Sequence, residues 1–308
     1  MAVLVIGSLN IDLVTYVKRM PKPGETVDGE RLEVFPGGKG LNQATAAARA
    51  GGNVTMVGVI GTDQNSQLLR NVMDSESINQ DYVSVAEGVC GTAIIEVDTS
   101  GQNRIIVISG ANADLKAGSF SDDAFDSIPE TQVLLAQLES PISEMEIFFK
   151  RAKDKGFLTI LNPAPAQTLS LEFAKNIDLL IPNQFEAGFL TGIDVVDVES
   201  ATNAARKIHR TGVESILVTM GGDGCLLLSQ NESIYFPAFD VTAIDTTAAG
   251  DAFCGALAAQ LSQGHALIDA VTFASAAGAL ATTKVGATPS LPTRVEISSL
   301  IQLQGSKG

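Results

Sequence analysis

Apolar and polar positions along this chain follow two different periods. Short, nearly continuous apolar runs at Val54–Gly58, Val133–Gln137, Leu158–Leu161, Leu179–Ile181 and Ile216–Thr219 have the length and composition of strands covered on both faces. Between them, apolar residues recur every three to four positions over Leu41–Ala50, Ile142–Lys155 and Ala201–Thr211, the spacing of helices with one buried side. Ala2–Gly7 adds a first buried strand, and Ala270–Thr283, rich in Ala and Gly, reads as a helix packed tightly inside the protein. This alternation predicts an α/β fold with a central, mostly parallel sheet flanked by helices on both faces. No fixed-period repeat or low-complexity linker divides the chain, so residues 1–308 are expected to form one main domain.

Two stretches break the rhythm. Residues 11–36 hold two β patterns around a Pro/Gly turn, and residues 92–108 hold two more around Asp98–Asn103. Each leads straight into polar or glycine-rich residues, Gly37-Gly38 in one case and Ser109–Asn112 in the other. A small β-sheet lid over the mouth of the main domain would account for both. Its apolar face invites pairing with a second copy, so a homodimer is expected.

Composition narrows the function classes. Hydrophobic content of 45% against 18% charged residues fits a packed soluble enzyme. A formal net charge of −15 argues against nucleic acid as a partner, while leaving room for a small anionic substrate in a locally basic cleft. The three cysteines, Cys90, Cys225 and Cys254, show neither paired nor metal-like spacing, which suits a reducing compartment. The apolar amino terminus lacks a basic leader and is interrupted by Asn10 and Asp12, and Ala270–Thr283 is too short to span a bilayer. No membrane association and a cytoplasmic location are expected.

Chemistry gathers after the strands, where open parallel sheets bind their ligands. Asn10 and Asp12 follow the first strand two positions apart and so share one side of an extended chain, suiting bidentate contacts to a polyol or a strand-end cap. Gly37-Gly38-Lys39-Gly40-Leu41-Asn42 precedes an Ala-rich helix, giving close backbone approach and two donors for sugar hydroxyls or phosphate; it lacks the P-loop spacing. Glu139 and Asn162-Pro163 end two further strands. Asn183 and Glu186 stand at i, i+3, able to hold the water shell of Mg²⁺ or to cap a helix. Thr219-Met220-Gly221-Gly222-Asp223-Gly224 is a glycine turn with room for nucleotide phosphates, or a hairpin. Carbonyls around Lys284–Ser290, with Asp245 and Thr247, offer oxygen ligands for a large monovalent cation. The most telling segment is Asp245-Thr246-Thr247-Ala248-Ala249-Gly250-Asp251. Here a turn opens a helix whose unpaired N–H groups can hold an anion, with Asp251 beside it as a base for an alcohol.

Together, GSLNID, FPGGKGLNQA, LESP, NPAPA, PNQFE, TMGGDG and DTTAAGDAF, in this order, resemble the ribokinase-like (PfkB) carbohydrate kinases over Val3 to about Ile301. The resemblance implies that family's fold and ATP-dependent phosphorylation of a sugar, with the combination of motifs pointing to the 5-hydroxyl of D-ribose. It implies sugar contacts at Asn10, Asp12, Gly38, Lys39, Gly40, Asn42 and Glu139, with Asp251 as base and the amides of Ala249, Gly250 and Asp251 as anion hole. ATP would lie on Asn183, Thr219–Gly224, Gly250 and Ser275. Mg²⁺ would be held through water by Glu186, and K⁺ by Asp245, Thr247, Ala281, Lys284, Gly286 and Ser290. The lid would form the dimer contact. Gln184 and Ser275 depart from the family pattern, which more often has a carboxylate and an imidazole or amide there. A sister kinase for deoxyribose, fructose or a nucleoside, and a non-catalytic sugar or nucleotide sensor, are the alternatives. A nicotinamide-dependent oxidoreductase is disfavoured because no GxGxxG follows the first strand.

Overall fold

The computed structural model describes residues 2–128, 132–230 and 232–305. In chain order the elements are β1 (Ala2–Ile6), β2 (Asn10–Val17), β3 (Gly29–Gly37), α1 (Lys39–Arg49), β4 (Val54–Ile60), α2 (Gln64–Ser75), β5 (Asn79–Val85), β6 (Gly91–Asp98) and β7 (Asn103–Ile108). They continue as α3 (Asp122–Ser127), β8 (Gln132–Ala136), α4 (Ile142–Asp154), β9 (Leu158–Leu161), α5 (Leu171–Ala174), β10 (Leu179–Leu180), α6 (Gln184–Thr191) and α7 (Val198–His209). Last come β11 (Ser215–Thr219), β12 (Cys225–Ser229), β13 (Glu232–Phe236), α8 (Ala249–Ser262), α9 (Leu267–Ala281) and α10 (Arg294–Gly305).

The described strands form a nine-stranded sheet in the order β13-β12-β11-β10-β9-β8-β1-β4-β5. Pairing is parallel from β5 to β11 and antiparallel only at β11–β12–β13. Alternate residues of each strand feed two cores. Leu4, Ile6, Leu134, Ile216 and Val218 pack with Phe148 and Phe149 on one face, while Val3, Val5, Val133, Leu135 and Leu217 pack with α1, α8 and α9 on the other. Each such side chain, fully buried, contributes about 1.5–3 kcal/mol relative to exposure, which is why strands covered on both faces read as unbroken apolar runs. No described helix is long and apolar enough to cross a membrane.

Strand order positions the site. From β1 the chain moves outward to β4 and β5, then returns to place β8 on the other side of β1. The β1/β8 boundary is therefore the point where loops leave in opposite directions, opening a crevice at the carboxyl ends of both strands.

The inserted segments form a separate four-stranded sheet, β3-β2-β6-β7. Although distant in sequence, β2 and β6 pair in parallel over Asn10–Val17 and Gly91–Asp98. Only Gly7, Ser8 and Leu9 separate β1 from β2, so the smaller sheet springs directly from the crevice. Its edge strand β7 is exposed along its whole length, with Ile105 at 54% and Ile106 at 62%.

Candidate active site

At the β1/β8 boundary the Ser8 hydroxyl donates to Glu139 Oε2 at 2.5 Å, and the Lys39 backbone N–H donates to the same oxygen at 3.0 Å. Glu139 thus joins the exits of β1 and β8 to the start of α1. The remaining amides of that start are also taken: Gly40 N–H by Ser8 Oγ at 3.3 Å and Leu41 N–H by the Ser8 carbonyl at 3.0 Å. On β2, Asn10 and Asp12 share one side of the strand, as expected. Asn112 orients the first of them. Its amide donates to Asn10 Oδ1 at 2.7 Å, and its oxygen accepts from Leu9 N–H at 2.9 Å. Gly37, on the neighbouring strand, gives Asp12 its space, because a Cβ there would fall 2.4 Å from Asp12 Oδ2.

Asp251 sits in the first turn of α8 and is buried, 7% exposed. Asn42 Nδ2 donates to its Oδ2 at 3.0 Å and Gln43 Nε2 to its Oδ1 at 2.9 Å. Adjacent residues of α1 therefore grip both carboxylate oxygens. Thr288 Oγ1 donates to Asn42 Oδ1 at 3.2 Å, which fixes the direction of that amide.

The start of α8 differs from those of four capped helices, and unlike the uncapped α1, α2, α4 and α9 it begins on a non-glycine residue in the left-handed region. Asn183, Asp197, Ser121 and Ser170 cap α6, α7, α3 and α5 with their own side chains. The residue before α8 is Ala248, held in the left-handed region at φ 59°, with no side chain able to cap. Such a conformation costs a non-glycine residue on the order of 1–2 kcal/mol. Ala249 N–H is taken by the Thr246 carbonyl at 3.3 Å. That narrows the expected three-amide cradle to two, since Gly250 and Asp251 N–H have no hydrogen-bond partner among the described residues.

Lys39 is half-buried at the centre of these groups. Burial works against its charge, but Asp251, Glu139 and Glu186 outweigh it and hold the ammonium above the ordinary lysine range. Asp251 is raised by burial, against the pull of Lys39, Gln43 and Asn42. Asp12 is pushed up to about 6, by burial first and then by the charges on Glu139 and Asp251. These shifts tie Asp12, Glu139, Asp251, Lys39 and Glu186 into one electrostatic unit.

A consequence follows for pH. An acid whose folded pKa is raised takes up a proton on folding between pH 4 and pH 6. Its contribution to stability, on the order of 2 kcal/mol, is present at pH 4 and lost as pH rises through 6. Asp12→Asn should therefore melt at a higher temperature than wild type at pH 7.5 but not at pH 4, while sugar affinity drops about tenfold or more. Melting curves at the two pH values with a sugar titration check this, and undiminished sugar affinity would count against Asp12 as a contact.

The Asn183–Glu186 pair proves to be a capping box. Asn183 Oδ1 accepts from Glu186 N–H at 2.8 Å, and Glu186 Oε2 accepts from Asn183 N–H at 2.8 Å. Glu186 Oε1 also accepts from Asn183 Nδ2 at 3.1 Å. Gln184 turns away, donating to the Val195 carbonyl at 3.1 Å. The Thr219–Gly224 turn is the hairpin joining β11 to antiparallel β12, with Met220 N–H donating to the Gly224 carbonyl at 2.8 Å. Within it the Met220 side chain is buried in the core, while Gly221, Gly222 and Asp223 are exposed. Asn183 bridges to Thr219, so cap and hairpin share one sheet edge. Ser275 faces the hairpin's far side, its hydroxyl 3.6 Å from Cys225 Sγ.

Asp245 ties the turn before α8 to the loop after α9. Its Oδ1 accepts from Thr247 N–H at 2.9 Å and Thr247 Oγ1 at 2.6 Å, and its Oδ2 from Gly286 N–H at 2.8 Å. Ile244 and Asp245 N–H both reach the Thr282 carbonyl. Lys284 Nζ points outward to Glu296 at 2.9 Å, leaving only its carbonyl for the loop. Ser290 Oγ donates to the Ala287 carbonyl at 2.8 Å, and Ala281 contributes its carbonyl at the end of α9. Asp245, Thr247 and Gly286 are thus directly linked, whereas Ala281 and Ser290 join them only through the loop. No group of three or more His, Cys, Asp or Glu side chains placed to hold a metal ion occurs among the described residues.

The residues that sequence reasoning missed are those that orient others: Gln43, Thr288, Gln137 and Ser8. Gln43, Ser8 and Thr288 lie inside FPGGKGLNQA, GSLNID and the Lys284–Ser290 loop, whereas Gln137 reads only as the last residue of a strand.

An α/β sheet with its carboxylates, open amides and glycine turns gathered at one crevice defines an enzyme acting on a small polar molecule. Residues 2–294 match the description "pfkB family carbohydrate kinase", and the chain belongs to this family. It is 39% identical over 299 residues to a ribokinase of Haemophilus influenzae, covering 97% of each chain. It is 34% identical over 305 residues to a deoxyribokinase of Salmonella typhi, covering 98% of this chain and 99% of that one. Among solved structures, the ribokinase of Arabidopsis thaliana complexed with ribose and ATP superposes with a TM-score of 0.91 at 31% identity, covering 98% of both chains.

Proposed function

We propose that this chain transfers the terminal phosphoryl group of ATP to the 5-hydroxyl of D-ribose, giving ribose 5-phosphate. The observation that carries this reading is the start of α8, where two unpaired amides lie beside a buried carboxylate gripped by Asn42 and Gln43. The H. influenzae ribokinase and the Arabidopsis complex with ribose and ATP support the choice of substrates.

Asn10 Nδ2 donates to the sugar hydroxyls and the Asp12 and Glu139 carboxylates accept from them, with Gly38, Lys39, Gly40 and Asn42 along the other wall. Asp251 takes the proton of the attacking hydroxyl, and Gly250 and Asp251 N–H hold the charge on the transferring group. Lys39 balances the surrounding carboxylates. ATP runs from this turn past Asn183 to the Thr219–Gly224 hairpin and Ser275. Closure of the smaller sheet excludes water and limits ATP hydrolysis.

Mg²⁺ fits beside Glu186 through water. Each carboxylate oxygen accepts one hydrogen bond from Asn183 and keeps a further lone pair open to the water shell of the ion. The ion supplies charge neutralisation on the ATP phosphates. K⁺ fits the oxygen-only loop of Asp245, Thr247, Ala281, Lys284, Gly286 and Ser290, where one carboxylate and several carbonyls match a single positive charge better than a divalent one. It would steady the turn that carries the open amides. We place the reaction in the cytoplasm, with its three cysteines free and buried.

Initial rates with MgATP across a sugar panel test the assignment. Ribose should be turned over fastest, with 2-deoxyribose slower, and rates should rise several-fold on exchanging Na⁺ for K⁺ at equal ionic strength. The S. typhi deoxyribokinase favours 2-deoxyribose as the second reading, and a higher kcat/KM for that sugar would replace ribose. Tight sugar and nucleotide binding without turnover would instead mark a sensor.

The exposed apolar residues of β7, with Leu32 and Val34 of β3, suit pairing with a second copy through the smaller sheet. Sedimentation equilibrium should give the mass of a homodimer, and Ile106→Asp should shift it to monomer. A monomeric wild type at micromolar concentration would oppose this.

A further inference from the structure

Asp251 is held by more than its immediate neighbours. Gln43, which donates to Asp251 Oδ1 at 2.9 Å, also donates to Asn162 Oδ1 at 3.2 Å and accepts from Gln137 Nε2 at 2.6 Å. Gln43 lies on α1, Gln137 directly after β8 and Asn162 directly after β9. Both glutamines are fully buried.

The directions in this chain are forced. A carboxylate can only accept, so Gln43 must turn its Nε2 to Asp251, which leaves Gln43 Oε1 facing Gln137. Gln137 must then present its own Nε2, and its Oε1 is left behind, buried and without a hydrogen-bond partner among the described residues. That orphaned oxygen lies against Gly7, where a Cβ would fall 2.1 Å away. Asn162 is fixed likewise, since its Nδ2 donates to the Ile181 carbonyl at 2.9 Å and its oxygen is thereby turned to Gln43. Two amide dipoles thus stand head to tail with their positive ends toward Asp251. Burying two polar side chains and stranding one acceptor is costly, and an apolar pair would pack the space without that cost.

We propose that Gln137 and Gln43 form an aligned amide relay that keeps Asp251 ionised and fixes the lone pair it offers to the sugar hydroxyl. Gln43 is accordingly a positioning residue for phosphoryl transfer. This rests on the reading of Asp251 as the base. Burial alone drives Asp251 toward its neutral form, and a neutral carboxyl cannot accept the proton. Gln43 opposes that from a fully buried position.

The test is the pH dependence of kcat in Gln43→Met, which keeps length and bulk but donates nothing. At pH 7.5 its kcat should fall about tenfold or more, and the acid limb of the kcat profile should move up by about one pH unit. KM for ribose and for ATP should stay within about twofold. Gln137→Met should move the limb in the same direction by less, and the double variant should be no worse than Gln43→Met, because Gln137 acts only through Gln43. A wild-type kcat and unmoved limb in Gln43→Met, or a loss of activity with the limb unmoved, overturns the relay. Asp251→Asn separates the two readings. If it is inactive while Gln43→Met is normal, the relay fails and the base stands; if it turns over normally, the base reading itself fails. Should Gln43→Met not fold, Gln43→Glu keeps the shape and sets a like charge against Asp251, so its limb must move further upward, and an unmoved limb overturns the proposal.

Discussion

Asp251→Asn should lower kcat about a thousandfold or more, the scale of lost general-base catalysis, while ribose affinity changes by no more than a few fold. The amide cannot take the hydroxyl proton, but it occupies the same space beside the sugar. One further effect follows from the contacts. Asn42 and Gln43 each donate to a different oxygen of Asp251, and asparagine offers only one oxygen. One donor is left facing another, so the melting temperature should drop as well. The chain lacks tryptophan, so calorimetry is the direct readout for ribose binding, with a coupled assay for turnover. A kcat near wild type would remove Asp251 from the mechanism.

Gly255→Ala is expected to damage both stability and activity. Helices α1 and α8 cross at this glycine, and a Cβ there would fall 2.4 Å from the Gln43 carbonyl oxygen, 2.6 Å from Ala46 Cβ and 2.8 Å from Ala47 N. Two of these are backbone atoms, so the helices themselves must part. Overpacking of this kind costs about 1–3 kcal/mol, which lowers the melting temperature by roughly 5 °C in a chain of this size. Because Asn42 and Gln43 ride on α1 and Asp251 on α8, the same displacement loosens the grip on the carboxylate. A shift of about 1 Å can cost on the order of a hundredfold in rate. Gly118→Ala, with open space around the added carbon, is the control and should match wild type in both measurements. An unchanged melting temperature in Gly255→Ala would mean that the helices do not meet this closely.

Much of this arrangement was legible in the sequence, for a physical reason. A parallel sheet sends every strand's exit to one edge, so polar residues following separate apolar runs converge although hundreds of positions apart. Asn10, Asp12 and Glu139 were found that way, and Asp251 from the small-residue turn that opens α8. Orientation was not legible. Gln43 and Thr288 matter through contacts with residues more than 200 positions away, and no local periodicity records them. Strand β12 was missed because its leucine run resembles any buried segment, and β13 because it is a short, largely exposed edge strand. The Thr219–Gly224 turn was legible as a turn, but its hairpin and phosphate-loop readings share one composition. Lys284 illustrates a further limit: its place in the loop can be read from the sequence, but not that its side chain leaves the loop for Glu296.

The short passage from β1 into β2 has one more implication. Asp12 belongs to the smaller sheet, whereas Glu139 and Asp251 are anchored to the larger body, and Asp12 senses the negative charge of both. Like charges therefore face one another across the join of the two layers, with the Lys39 ammonium among them. On the function proposed above, a pentose donating hydroxyl protons to these groups at once would bridge the join and fasten one layer to the other.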